Sequence, residues 1–190
     1  MIFSASFYWY DGELDSFFYK TLFDSYKKKF SYKIIELSKK GDSINKLDVE
    51  YNPKVYKGYF YKQKNNLYVF INNLADGWYT RSRNIALKNH IRGVQIKIFS
   101  GKQNPVYMMN YYDKCERVIY SMKDGNKWVF YASGEQQVFE KNDQYSENGA
   151  TKKFNLTKLR NFCLNLGIDL NNPDILKPVS KIYYEYGERY

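Results

Sequence analysis

One histidine, two cysteines and four prolines are all that this chain of 190 residues carries of the types most used for proton transfer, metal ligation and chain breaking. His90 is the sole imidazole, and no carboxylate or cysteine stands at helical spacing on its side, which removes the usual acid–base partner near neutral pH. A zinc site takes about four nitrogen or sulfur ligands, and one histidine with two scattered cysteines does not supply them. Cys115 and Cys163 form no CxxC and are too few for a disulfide framework. They fit a reducing compartment, with Cys163 expected to be a small buried apolar side chain. The phosphate-cradling patterns GxGxxG and GxxxxGK[ST] are missing, as is the GxSxG nucleophile elbow. No catalytic residue, cofactor or metal is therefore expected. Nor is any apolar run long enough to cross a bilayer. The opening MIFSASFYWYDG lacks the basic stretch and small-residue cleavage site of a secretory signal, so a cytoplasmic, membrane-free protein is expected.

What the chain has in excess is aromatic and basic side chains. Aromatics make up 19% of it, with 21 Tyr and 13 Phe. Tyrosine buries its ring while keeping its hydroxyl wet, which suits contact surfaces. A coding sequence rich in A and T produces the same bias, because Tyr, Phe, Lys, Asn and Ile share such codons, and both accounts stand. The net charge is +10, from 30 basic and 20 acidic residues. Such a field draws phosphate backbones, anionic membranes or an acidic protein face. About seven of those surplus charges fall within residues 20–64.

Length and composition point to one domain over residues 1–190. The stretch 106–140 reads as a strand meander, with strands at 106–112, 117–122, 128–132 and 136–140. Its best local signal is Lys123-Asp124-Gly125-Asn126, where Gly125 supplies the positive φ of a tight hairpin. Residues 3–10 suit a first strand. After Asp11-Gly12, the spacing of Leu14, Phe17, Phe18, Leu22, Tyr26 and Phe30 predicts a long N-terminal helix, capped by Asp11 and closed by Lys27, Lys28 and Lys29. Residues 32–37 read as a strand and 38–48 as a loop. A hairpin is predicted from 55–61 and 67–71, with Pro53 outside the ladder. A short helix capped by Ser82 or Asn84 should carry Ile85, Ala86 and Ile91 and end at Gly93. Val94, Ile96 and Ile98 alternate with polar residues as in a strand with one buried face. Residues 141–153 read as a polar connection. A last helix should bury Leu156, Leu159, Phe162, Cys163 and Leu166, with Asn155 at its start and Gly167-Ile168 at its end. Residues 181–186 read as a final edge strand or an ordered tail. The sum is an α+β domain: a curved, mainly antiparallel sheet, one long N-terminal helix and one or two shorter ones.

Candidate functional residues fall into three groups. Lys54, Tyr56, Lys57, Tyr59, Tyr61 and Lys62 combine positive charge with aromatic rings expected to be exposed, as a protein contact requires. In Trp78-Tyr79-Thr80-Arg81-Ser82-Arg83, an extended backbone would send Arg81 and Arg83 the same way to hold phosphates, while Trp78 or Tyr79 stacks on a base. The alternative there is a Trp packed under the sheet and arginines paired with acids. Asp113, Glu116, Asp124, Glu135 and Glu140 lie near strand ends, where nucleases keep metal ligands, but no Glu-x-Lys spacing accompanies them and solvated turn acids are common.

Taken together, Asp76-Gly77-Trp78-Tyr79, Arg117-Val118, Lys123-Asp124, Trp128-Val129-Phe130-Tyr131, Gly134, Phe139-Glu140 and the ending Leu166-Gly167-Ile168-Asp169 resemble small cytoplasmic immunity proteins. These belong to bacterial contact-dependent inhibition and related polymorphic toxin systems. The resemblance implies a protein that is not an enzyme and that binds and neutralises a cognate toxin domain. It implies no individual site residue, since these positions read as structural. An inhibitor of charge +10 calls for a partner with an acidic patch. The other reading is a nucleic-acid-binding protein of a phage or mobile element, using the lysine-rich region with Arg81 and Arg83.

Overall fold

Alternating β-branched and aromatic residues along much of the chain are spent on one large antiparallel sheet. The computed structural model describes residues 2–13, 16–17, 30–37, 54–63, 65–75, 79–101, 104–140, 145–172, 175 and 180–188. Among them, nine strands pair: β1 (Ile2–Trp9), β2 (Phe30–Leu37), β3 (Val55–Lys62), β4 (Leu67–Asn72), β5 (Gly93–Phe99), β6 (Val106–Tyr112), β7 (Glu116–Asp124), β8 (Lys127–Ser133) and β9 (Ser180–Glu188). Their order across the sheet is β2-β9-β3-β4-β1-β5-β6-β7-β8, and every pairing is antiparallel. The described helices are α1 (Tyr79–Asn89), α2 (Ala150–Lys153) and α3 (Leu156–Asn165). The α+β class and the antiparallel sheet hold as expected.

Because strand side chains alternate between faces, the two faces carry two separate cores. One gathers Phe7, Tyr61, Val69, Ile96, Met109 and Ile119 under Phe154, Leu159, Phe162 and Ile168, from α3 and its flanks. The other gathers Tyr8, Phe60, Tyr68 and Phe70 with Phe17 and, from α1, Ile85 and Ala86. Phe60 and Phe70 stack at 4.4 Å across the β3–β4 ladder. Under α1 the central strands present a polar row instead, with Ser6, Gln95 and Asn110 all buried. There Ser6 Oγ and Ser82 Oγ lie 2.7 Å apart and Asn110 Nδ2 donates to Gln95 Oε1 at 3.2 Å. Val94, Ile96 and Ile98 do make a strand, but both of its faces are covered near its start.

Several local readings are met by the backbone itself. Gly125 takes φ 57° as the first of two residues joining β7 to β8, the pattern of a type II′ hairpin. Asn155 caps α3, its Oδ1 accepting from Lys158 N at 3.0 Å. At the other end Gly167 has φ 81° and Ile168 N donates to Cys163 O at 2.8 Å, with the Ile168 side chain fully buried.

Others are corrected. The fourth meander strand does not form: β8 ends at Ser133, and 136–140 is a turn held by Glu140 N donating to Gln137 O. Residues 180–188 form a strand, but an interior one, paired to β2 on one side and β3 on the other. α1 begins at Tyr79, not at a Ser82 or Asn84 cap, and ends at His90, whose φ of 53° reverses the chain so that Ile91 N donates to Ala86 O. Gly93 opens β5 instead; a Cβ there would come 2.8 Å from the Tyr8 ring. The polar connection before α3 contains the single turn α2. Of the expected long N-terminal helix, Ser16 and Phe17 are helical, and Phe30 belongs to β2. The rest of that helix, the 38–48 loop, Pro53 and Trp78 lie outside the described residues.

Candidate partner-binding surface

β3 is an interior strand, and that decides the fate of the residues proposed on it. Val55-Tyr56-Lys57-Gly58-Tyr59-Phe60-Tyr61-Lys62 lies between β9 and β4. Tyr59 and Tyr61, expected to be exposed, are 7% and 0% exposed and belong to the core beneath α3. The physical reason is the run Tyr59-Phe60-Tyr61: three successive aromatics send apolar surface to both faces, as in strands covered on both sides. Tyr56 and Lys57 are half-buried on opposite faces, and Lys54 is exposed just before the strand. Lys62 is tied into the fold: its Nζ donates to Gly12 O at 3.1 Å, lies 5.6 Å from the centre of the Tyr68 ring and stands 3.8 Å from Glu13. Its hydrogen bond to Tyr68, outweighing burial, holds its pKa above the usual lysine value. Five of the six nominated residues thus share a strand but not a face, and Lys54 precedes it.

The arginine-bearing segment is helical, not extended. Residues two apart on a helix point roughly 200° apart, so Arg81 turns inward, 4% exposed, while Arg83 turns toward β7. Arg83 Nε donates to Glu116 Oε2 at 2.7 Å and Tyr79 hydroxyl donates to Glu116 Oε1 at 2.6 Å. Burial and then the Glu116 carboxylate push the Tyr79 phenol up to about 12. Arg83 and Tyr79 are thereby engaged with one carboxylate, which meets the alternative for this segment in part: Arg83 is paired with an acid, and Trp78 lies outside the described residues.

The candidate acids divide in the same way. Glu140 is buried and grips Arg117 in two parallel bonds, Arg117 Nε to Oε1 at 2.8 Å and Nη2 to Oε2 at 2.7 Å. Tyr145 hydroxyl and Gln137 N also donate to this carboxylate, and Arg117 Nη1 donates to Ser133 O and Gly134 O. Burial opposes the charge on Arg117, but the Glu140 carboxylate outweighs it and holds that guanidinium above its ordinary pKa. Gly134, at φ 82°, passes so close that a Cβ would lie 2.1 Å from Glu116 O. Arg117, Gly134 and Glu140, quoted above from scattered positions, are therefore one lock that turns the chain after β8. Asp113, Asp124 and Glu135 are exposed. Among the described residues no group of three or more His, Cys, Asp and Glu is placed to hold a metal ion. His90 and Cys115 are exposed, and Cys163 is buried, its thiol pushed up by desolvation.

One surface was not foreseen. On the α1 side of the sheet, past the point where Tyr79 and Arg83 of that helix meet Glu116 at the start of β7, Val118, Tyr120 and Met122 on β7 and Val129 and Tyr131 on β8 make an apolar strip. Tyr131 is 45% and Val129 37% exposed, and the Tyr120 and Tyr131 rings stack at 5.1 Å. On β8 both faces are apolar in sequence, but on β7 Val118, Tyr120 and Met122 alternate with Arg117, Ser121 and Lys123, a signal that could have marked this face. Among the described residues no helix is long and apolar enough to cross a membrane. Comparison of the chain with protein-family models, with curated proteins and with solved structures finds no match.

Proposed function

We propose that the protein is a non-enzymatic, immunity-type inhibitor that holds a cognate bacterial toxin domain in an inactive complex in the cytoplasm. The observation that carries this reading is the division of charge. Residues 106–172 hold nine basic and eight acidic residues, a net +1, while the remainder holds twenty-one basic and twelve acidic, a net +9. A surplus kept out of one long stretch of the chain makes an uneven field, which steers a partner carrying an acidic patch. Lys54 and Lys57 lie in that basic part, and they replace the original six-residue nomination as its contact candidates. Nucleic acid is the second reading, and the engagement of Arg83 by Glu116 counts against it, because a phosphate would have to displace a buried-side carboxylate.

The test is co-purification with the C-terminal domain of a large secreted protein encoded beside this chain, at physiological and at high salt. A one-to-one complex that abolishes the domain's toxicity supports the inhibitor reading. Absence of a complex, together with DNA or RNA affinity that falls steeply with salt as counterion release demands, transfers the assignment to nucleic acid.

A further inference from the structure

β8 is the last strand of the sheet, with β7 as its only described neighbour. Asp124 and Lys127 flank the two-residue turn, so they form a hydrogen-bonded pair, and pairs alternate from there. Val129, Tyr131 and Ser133 thus spend their backbone groups on β7, while those of Trp128, Phe130 and Ala132 point to the open side. Among the described residues no backbone group outside β7 bonds to β8. Natural edge strands are commonly blunted by proline, inward charges or a bulge. Lys127-Trp128-Val129-Phe130-Tyr131-Ala132-Ser133 has none of these, and its one charge stands at its end.

We propose that β8 joins two copies of this chain, strand to strand and antiparallel, about a two-fold axis at Phe130. That register matches all three outward residues: Phe130 faces Phe130, and Trp128 of each copy faces Ala132 of the other. Each such pair exchanges two hydrogen bonds. On the exposed face Val129 of one copy lies against Tyr131 of the other, which extends the stacked Tyr120 and Tyr131 rings into a continuous apolar strip. Lys127 falls opposite Ser133, and the like charges nearest the axis are the two Lys153 ammonium groups, each 5.6 Å from the centre of its own Phe130 ring. Charge selects a second copy as the occupant. Residues 106–172 are almost neutral, and β3 lies six strands from β8. At about 4.8 Å per strand β3, with Lys57 and Lys62, is roughly 29 Å away, several screening lengths at physiological salt. Two copies thus meet on a stretch of each chain that is almost neutral.

The test is the mass of the full chain in solution, by light scattering and sedimentation, from about 1 to about 200 µM, since a single strand pairing lies at the weak end of interfaces. The expected result is a rise from 22.8 kDa toward twice that mass, made stronger by added salt as the net repulsion is screened. Ala132→Pro removes an outward N–H without touching the β7 ladder, and Val129→Lys puts a charge on the strip at an already exposed position. Each should weaken self-association about ten-fold or more while thermal unfolding of the monomer stays near the parent's. Should Ala132→Pro fail to fold, Val129→Lys decides alone. A parent chain that stays at 22.8 kDa across the range overturns the proposal, as does a doubled mass that survives the substitutions, or a chain that stays single while capturing an added strand-forming peptide.

Discussion

The two ends of the sheet use the same residue types to opposite effect. At the β3 end, Tyr59 and Tyr61 are sealed in a core and Lys54 stands exposed beside the strand. At the β8 end, Tyr120 and Tyr131 stack in the open and the chain is almost neutral. Ring chemistry does not distinguish these tyrosines; what lies over the strand does. Among the described residues β3 has strands on both sides and cover on both faces, whereas β8 has one neighbouring strand and a helix over one face. The lysines beside β3 are suited to attracting a partner from a distance, and the open strip at β8 to close contact.

The sharpest way to break the β8 end is to break the lock that ends it. Glu140→Ala leaves the Arg117 guanidinium, 6% exposed, without its carboxylate. Removing one member of a buried pair costs about 3–5 kcal/mol, so the unfolding midpoint in urea should fall steeply and carry the 134–140 turn with it. Replacing both members, Arg117→Met with Glu140→Leu, should recover most of that loss. If the single change costs under about 1 kcal/mol, the pair is solvated and the lock is not one.

A second effect separates the ends by pH. Both states of the protein keep tyrosine protonated below the ordinary value near 10. Above it the unfolded chain loses the proton while Tyr79, raised to about 12, keeps it. The unfolded state is then favoured, so stability is lost as pH rises from about 10 to about 12. Tyr8 and Tyr112, raised further by burial, add to the same slope. Tyr79→Phe should make the alkaline loss shallower, checked by thermal unfolding across that window; an unchanged slope would place the effect on the deeper phenols.

These contrasts also show what the sequence could express. The turn at Gly125, the Asn155 cap and the Gly167 ending of α3 were legible because each rests on one residue's own backbone preference or side-chain reach. The direction of Arg81 and Arg83 was not, because it depends on whether Tyr79 starts a helix, and the residue before it in sequence is Trp78, not one of the Ser, Thr, Asp or Asn that signal a start. Nor was the interior place of β9, since pairing between residues as distant as Tyr56 and Tyr186 leaves no local mark. Tyr59 and Tyr61 could have been read as core from their flanking of Phe60, had the run been weighed as a strand with two covered faces. The Arg117–Glu140 pair had only its spacing to betray it.

Tyr61 offers a finer probe. Its ring is fully buried and its hydroxyl has no hydrogen-bond partner, so Tyr61→Phe removes an unpaired polar group and fills the same space. The expected change is neutral or up to about 1–2 kcal/mol of added stability, with binding of any partner unaltered. A loss of binding without a loss of stability would return Tyr61 to the contact surface and contradict the division between the two ends.

The smallest effect on the fold, and the most direct on function, concerns the charge itself. Lys54→Glu with Lys57→Glu lies at the β3 end, and surface changes of this kind shift stability by about 0.5 kcal/mol or less. If that end steers an acidic partner, the pair should slow association several-fold at low salt while leaving dissociation nearly constant, because rim charges act on encounter more than on the formed contact. The difference should shrink as salt shortens the range of the field to about 3 Å at 1 M. The same substitutions should leave self-association through β8 unchanged or slightly strengthened, since they lower a repulsion that acts from the far end of the sheet. Surface-plasmon kinetics of the complex beside sedimentation of the free chain would read both. An unaltered association rate would mean that the charge surplus is not what brings the partner in, and that the open strip at β7 and β8 is the place to look for it.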